Sequence, residues 1–103
     1  MMTKHYANKR CDRERFIEEY LGGDGKVIDS FIVDKGHRNG LERHEITENG
    51  IILIYNENTN LLISKLIARP QQIKRYYETI GRRPPSHIIE LAQNHKKLGY
   101  FNK

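Results

Sequence analysis

The dipeptide Asn49-Gly50 restricts the fold of this chain more than any other feature of its sequence. It lies between residues 41–48 and 51–55, which we interpret as two strands, and the second of these is apolar throughout. Asn-Gly between strands favours a two-residue type I′ turn, because both central residues of that turn need a positive φ. The sequence therefore predicts an antiparallel hairpin in which His44 faces Tyr55.

Further strands are predicted on either side of this hairpin. Residues 27–33 are rich in β-branched and aromatic side chains, which favour strands. A second reversal at residues 57–60 leads into a strand over 61–68, and Arg69-Pro70 ends it. Together these segments predict a four-stranded antiparallel β-meander.

Three helices complete the predicted architecture. Asp12 is a suitable N-cap for a helix over 12–21, which a run of glycines ends. Proline suits the first turn of a helix, and a helix is predicted over 70–80. Residues 84–86 form a rigid break before a last helix that runs to about Leu98. The predicted fold class is α+β, with an N-terminal helix, the meander and two C-terminal helices.

Length and composition predict a single domain outside the membrane. The chain has 103 residues, so one domain over 1–103 is expected, with residues 1–10 frayed or weakly helical. Its longest apolar runs are far shorter than the ~20 residues that a membrane span needs. Cys11 is the single cysteine. One cysteine and the lack of an apolar stretch behind the N-terminus predict a cytoplasmic protein without internal disulfides.

Positive charge is concentrated in the C-terminal third. The net charge is +5 and the isoelectric point about 9.4, and residues 69–97 alone carry seven basic side chains against two acidic ones. Such a segment favours a polyanionic partner, RNA or another nucleic acid, and a solvated basic surface is the alternative. The predicted nucleic-acid contacts are Arg69, Lys74, Arg75, Arg82 and Arg83.

The helix predicted over 70–80 has one apolar side, formed by Ile73, Tyr76, Tyr77 and Ile80. Spacing at the helical period favours the interpretation that this side belongs to the core. Two tyrosines among cations can also stack on nucleic-acid bases, which is the second interpretation.

The predicted register assigns side chains to two faces of the sheet. Helices are expected to cover the face with His44, Ile46, Ile51, Leu53, Tyr55, Leu62, Ser64 and Leu66. The second face, a partly open groove, is expected to carry Arg43, Glu45, Thr47, Ile52, Ile54, Ile63, Lys65, Ile67 and Arg69.

Polar side chains of the second face and of the loop before it have the types that metal-independent RNA cleavage requires. This reaction needs a base, an acid and cations that stabilise the charge of the transition state. The candidate catalytic residues are His37, Arg43, His44, Glu45, Thr47 and Lys65. A packed His44 and a surface ion pair between Glu45 and Lys65 are the alternatives without a catalytic role.

No metal or other cofactor is predicted. His37 and His44 lie near acidic residues, but the zinc motif H-E-x-x-H is absent. Arg38 and Arg43 stand among these possible ligands and would oppose a bound cation.

Residues 40–69 resemble the central sheet of small ribonuclease toxins of the RelE and barnase-like type. The similar part runs Gly-Leu-Glu-Arg-His-Glu-Ile-Thr-Glu-Asn-Gly-Ile-Ile-Leu-Ile-Tyr and, further on, Leu-Leu-Ile-Ser-Lys-Leu-Ile-Ala-Arg. The resemblance implies a metal-independent endoribonuclease that uses scattered polar side chains on its sheet, and a protein partner such as an antitoxin or host target. In overall texture the chain is similar to small phage or mobile-element proteins.

Two other functions stay open at this point. A non-catalytic nucleic-acid-binding module would use the basic segment 69–97. A phage-encoded inhibitor or adaptor would instead dock on another protein through the second face of the sheet.

Overall fold

The four predicted strands form one antiparallel sheet in a computed structural model, which describes residues 13–36 and 40–97 of the chain. Neighbouring strands in sequence are neighbours in the sheet, in the order β1-β2-β3-β4. The strands are β1 (Val27–Asp34), β2 (Leu41–Thr47), β3 (Ile51–Asn56) and β4 (Leu62–Ile67). The predicted meander is thus confirmed.

Three helical elements accompany the sheet and confirm the α+β class. The first, α1 (Phe16–Tyr20), has the wider π-helical turn, with a hydrogen bond from Leu21 N to Phe16 O of 3.3 Å. The others are α2 (Pro70–Thr79) and α3 (Ser86–Lys97). Asp12, the predicted N-cap, lies outside the described residues. In the described part of the chain, no helix combines the length and the apolar character needed to cross a membrane.

The connection between β2 and β3 differs from the predicted two-residue turn. Ile46 pairs with Ile52, so the loop holds three residues, 48–50. Gly50 has φ +75°, whereas Asn49 does not have the positive φ that a type I′ turn demands. This is the common three-residue hairpin loop, in which a tight turn is followed by one left-handed glycine. The prediction that His44 faces Tyr55 is therefore wrong: Arg43 pairs with Tyr55.

The connection between β3 and β4 adds a second departure from the predicted register. Tyr55 pairs with Leu62, as predicted, but Ile54 pairs with Ser64. Ile63 is therefore the extra residue of a β-bulge. Because of the bulge, Leu53 lies opposite Lys65 rather than opposite Ser64.

Each face of the sheet packs on a different set of helices. On the α1 face, Ile51, Leu53 and Ile67 form a core with Ile17, and Phe16, Leu21 and Tyr55 pack around it. On the two-helix face, the core contains Phe31, Ile46, Ile52, Ile54, Ala68, Ile73, Tyr77, Ile88 and Ala92. The predicted faces of β2 are correct, but those of β3 are reversed: Ile51, Leu53 and Tyr55 lie with Arg43, and Ile52 and Ile54 lie with His44.

The apolar side of α2 is a core surface over most of its length. Ile73 and Tyr77 are fully buried, and Tyr76 is partly buried against the same core. Ile80 was predicted to share this surface, but it is 46% exposed because α2 ends at Thr79 and Ile80 is its C-cap.

Candidate functional site

Strand β2 divides the predicted catalytic residues between the two faces of the sheet. Glu45 lies opposite Leu53, and Leu53 lies opposite Lys65, so both charged side chains are on one face, as predicted. That face was expected to be a partly open groove, but α1 packs on it. Arg43 and Thr47 share that face because side chains alternate along a strand. His44 lies on the two-helix face, and His37 is outside the described residues.

Arg43 is held by four neighbours on the α1 face. Its guanidinium lies 3.2 Å from a carboxylate oxygen of Glu45 and 3.4 Å from one of Glu57. It also donates to Asn60 Oδ1 and stands 4.8 Å above the ring of Tyr55. Two carboxylates thus neutralise one cation, and an anionic phosphate would have to compete with them for it.

Lys65 is paired in a similar way. Its ammonium lies 3.0 Å from Asp24 Oδ1 and 3.9 Å from Glu14 Oε2. Burial lowers the pKa of Lys65, but its hydrogen bond with Asp24 and the charge of that carboxylate outweigh burial, and the pKa is raised. Lys65 therefore acts as a charged clamp that fastens residues before β1 to the sheet.

Thr47 is a structural residue at the end of β2. It is fully buried, and its hydroxyl donates to the carbonyl of Asp24. The same oxygen accepts hydrogen bonds from Asn49 N at 3.3 Å and Ile51 N at 3.2 Å. Because its hydroxyl makes three hydrogen bonds in the interior, Thr47 is not exposed for the catalytic role predicted for it.

His44 belongs to a hydrogen-bonded chain on the two-helix face. Its Nε2 lies 2.9 Å from Glu42 Oε1, and its Nδ1 lies 2.5 Å from the hydroxyl of Tyr76. His44 and Glu42 are both buried. Burial, and secondarily the charge of Glu42, raise the pKa of Tyr76. These hydrogen bonds satisfy polar groups that would be costly to bury alone, and they fix α2 on β2.

A second tyrosine fastens α2 to β1. The hydroxyl of Tyr77 donates to Asp29 Oδ2, and burial together with this bond raises the pKa of Tyr77. Arg82 approaches the other oxygen of Asp29 at 3.8 Å. Both tyrosines of α2 therefore pack against the interior, so their rings are not placed to stack on nucleic-acid bases.

Most of the predicted nucleic-acid contacts are exposed on the two C-terminal helices or on the connection between them. Arg82 is 61% exposed even with its contact to Asp29. The basic side chains that share this exposure, here called the helical surface, are Lys74, Arg75, Arg82, Arg83, Lys96 and Lys97. Arg69 is also exposed but caps α2, where its backbone N–H donates to Gln72 Oε1 at 2.9 Å. The cations of the helical surface are therefore exposed, whereas Arg43 and Lys65 on the α1 face are closely paired with carboxylates.

Several residues of these networks were not identified from the sequence. Glu42 stands two residues before His44, so their common strand face was visible in the sequence. Tyr76, Asp24 and Asn60 reach their partners through tertiary contacts, and nothing in the local sequence indicates them.

The search for metal-binding clusters among the described residues and the comparison with known proteins both give no match. Among residues 13–36 and 40–97, no group of three His, Cys, Asp or Glu side chains is placed to hold a metal ion. Comparison of the chain with protein-family models, curated proteins and solved structures finds no match. The resemblance to RelE and barnase-like toxins therefore stays a prediction.

Proposed function

We propose that this chain is a nucleic-acid-binding domain whose helical surface contacts the phosphate backbone. The observation that carries the proposal is the exposure of six basic side chains on one helical layer, within a segment that holds only two acidic residues, Glu78 and Glu90. Phosphate contacts by Lys and Arg supply most of the affinity of non-specific nucleic-acid binding.

Charge pairing favours this surface over the α1 face. On the α1 face, Arg43 and Lys65 each have carboxylates within 4 Å, and a phosphate would have to displace them. On the helical surface, only Arg82 has a carboxylate within 4 Å among the described residues, at 3.8 Å from Asp29, and its side chain is still 61% exposed. At the other five cations of this surface, phosphates replace only water and counterions.

Retention on immobilised RNA or DNA at low salt tests the proposal. We expect retention by the wild-type chain and release as salt rises. Changing Lys74, Arg75, Arg82 and Arg83 together to glutamate should abolish it, because the local charge is reversed. Circular dichroism should show that the variant is folded. Unchanged retention by the folded variant would locate the phosphate contacts elsewhere.

Metal-independent RNA cleavage is a second candidate function, supported by the arrangement of Glu45 and Lys65. These side chains lie on one face, separated by two strand spacings of ~4.8 Å each. A carboxylate and an ammonium at this separation can flank a phosphodiester, provided that the substrate displaces Asp24 from Lys65.

Incubation of RNA with the purified chain in the presence of a chelator tests the second candidate. We expect 2′,3′-cyclic phosphate ends, and we expect Glu45→Gln to slow cleavage by about 10²-fold, the usual effect of losing an acid–base group. Glu48→Gln, a change of the same chemistry at an exposed loop position, should have no effect. Intact RNA across neutral pH would contradict this candidate and leave the binding proposal in place.

A further inference from the structure

We infer that the nucleic acid is double-stranded DNA and that α3 is the element that enters its major groove. The inference rests on the proposed function, because it assumes that the helical surface binds nucleic acid. It goes further in naming the strandedness of the ligand and the helix that contacts its bases.

Both tyrosines of the two C-terminal helices pack against the core. Tyr77 is fully buried, and Tyr76 stacks on Phe31 with ring centroids 5.3 Å apart while its hydroxyl meets His44. Proteins that bind single strands without sequence preference combine a basic groove with aromatic side chains on which bases stack. A basic surface whose tyrosines face inward fits a paired duplex better, since duplex bases are already stacked.

Helix α3 has a buried side and a polar, exposed side. Ile88 and Ala92 are buried in the core and hold one side of the helix against the sheet. The other side is polar along its whole length, and its exposed residues are Ser86, His87, Glu90, Gln93, Asn94, Lys96 and Lys97. An amide side chain can make paired hydrogen bonds with the major-groove edge of adenine, so Gln93 and Asn94 are the candidate base contacts.

Cations lie before and at the end of this polar side of α3. Arg82 and Arg83 precede the first turn of α3, and Lys96 and Lys97 end the last turn. A helix of 12 residues is about 18 Å long. The major groove of B-form DNA is about 12 Å wide, admits an α-helix and has a phosphate strand on either side. Cations at both ends of α3 therefore match phosphates on both sides of the groove.

The choice of α3 over α2, and of DNA over RNA, follows from the same geometry. In α2 the exposed cations Lys74 and Arg75 stand mid-helix, and its end presents Glu78 and the apolar Ile80. This arrangement suits contacts to a flanking backbone rather than to bases. The major groove of double-stranded RNA is deep and too narrow for side chains to reach the bases, so an inserted helix requires B-form DNA.

Fluorescence anisotropy with the full chain tests the inference. The probes are a duplex DNA recovered by selection from a random-sequence pool, a scrambled duplex, the single strands of the selected sequence and a duplex RNA of the same sequence. We expect the selected duplex DNA to bind most tightly. Gln93→Ala with Asn94→Ala should reduce the preference for selected over scrambled duplex by about tenfold or more, the usual loss for a base contact.

Two control variants separate base contacts from phosphate contacts. Gln71→Ala, an amide removed from the exposed side of α2, should leave the preference unchanged. Arg83→Gln with Lys96→Gln should weaken binding to selected and scrambled duplex alike.

Failure of the inference and failure of the proposed function give different results. If single strands or duplex RNA bind as tightly as duplex DNA, or if Gln93→Ala with Asn94→Ala leaves the preference intact, the inference is overturned while the helical surface still binds nucleic acid. If no probe binds even at low salt, both are overturned.

Discussion

His95 is a histidine in a position that suits an apolar residue. Its side chain is 1% exposed, and among the described residues neither ring nitrogen has a hydrogen-bond partner. It meets the ring of Phe16 edge-on, with centroids 5.7 Å apart. Burial therefore lowers the pKa of His95 in the folded chain, and an unpaired buried polar group of this kind costs about 1–3 kcal/mol.

This burial predicts a stability that depends on pH. Above the ordinary histidine pKa of about 6.5, His95 is neutral in both states and stability does not change. Below it, the unfolded chain takes up a proton that the folded chain does not, so the free energy of unfolding falls until the pH reaches the lowered folded-state pKa. Chemical denaturation between pH 7.5 and pH 5 should show the fall.

Replacing His95 with leucine should remove the contribution of this residue to the fall. His95→Leu should also raise the free energy of unfolding at neutral pH by about 1–3 kcal/mol, since no polar group stays unpaired. His87→Leu, at an exposed position on the same helix, should leave the pH profile as it is. An unchanged acid dependence in His95→Leu would show that another group controls it.

The loop between β2 and β3 contacts both the segment before β1 and helix α3. The Asn49 side chain donates to the carbonyl of Gly23 at 3.0 Å and ties the loop to the segment before β1. On the other side, a Cβ at Gly50 would lie 3.2 Å from Cε1 of His95 on α3. The loop therefore has little freedom to change its conformation.

Two glycines of nearly equal φ allow backbone strain to be separated from packing. Gly22 has φ +74° with nothing within 4 Å of an added Cβ, and Gly50 has φ +75° with His95 in the way. Gly22→Ala should cost about 1–2 kcal/mol of stability, the penalty for a left-handed residue with a side chain. Gly50→Ala should cost more, and urea denaturation of both variants measures the difference. Equal losses of stability in the two variants would mean that the His95 side chain moves away from the added methyl group at no cost in free energy.

The elements of this fold follow from local sequence, whereas their register does not. Prolines, glycines and β-branched runs indicated every strand and helix to within a few residues. Asn49-Gly50 indicated a reversal, but the loop that forms has three residues. Thr47 Oγ1 accepts hydrogen bonds from Asn49 N and Ile51 N within it, and the Asn49 side chain donates to the distant carbonyl of Gly23. A shift of one residue exchanges the two faces of a strand, so this loop and the bulge at Ile63 account for the errors in the predicted face map.

The candidate site depends on contacts between distant parts of the molecule, which explains why it was predicted only in part. The sequence indicated that Glu45 and Lys65 share a face, and this prediction is correct because the one-residue shifts at the three-residue loop and at the bulge cancel. It did not indicate that Asp24 pairs with Lys65, or that Tyr76 meets His44. The exposure of Lys74 and Arg75 on α2 was predictable from helical periodicity, whereas the neutralisation of Arg43 and Lys65 on the α1 face was not.

At the scale of the whole molecule, the salt dependence of nucleic-acid binding reports which cations contact phosphate. The logarithm of the binding constant falls linearly with the logarithm of salt concentration, by about 0.9 per phosphate contact on duplex DNA. Lys74→Gln with Arg75→Gln should reduce the steepness by about 2 if both contact phosphate. Lys26→Gln with Lys35→Gln, exposed at the two ends of β1, changes the net charge equally and should leave the slope unchanged. Equal effects of the two pairs would indicate that net charge alone controls binding.

The bulge at Ile63 affects how readily a second copy of the chain can pair with the edge of the sheet. Strand β4 is an outer strand, and Leu61, Leu62 and Ile63 on or beside it are at least half exposed. An open edge lined with apolar side chains can template another strand and start aggregation. An inserted residue bends the strand and breaks the regular spacing of its free N–H and C=O groups, so a second chain finds no continuous ladder to extend. One irregular residue in β4 thus opposes the addition of a second strand at this edge.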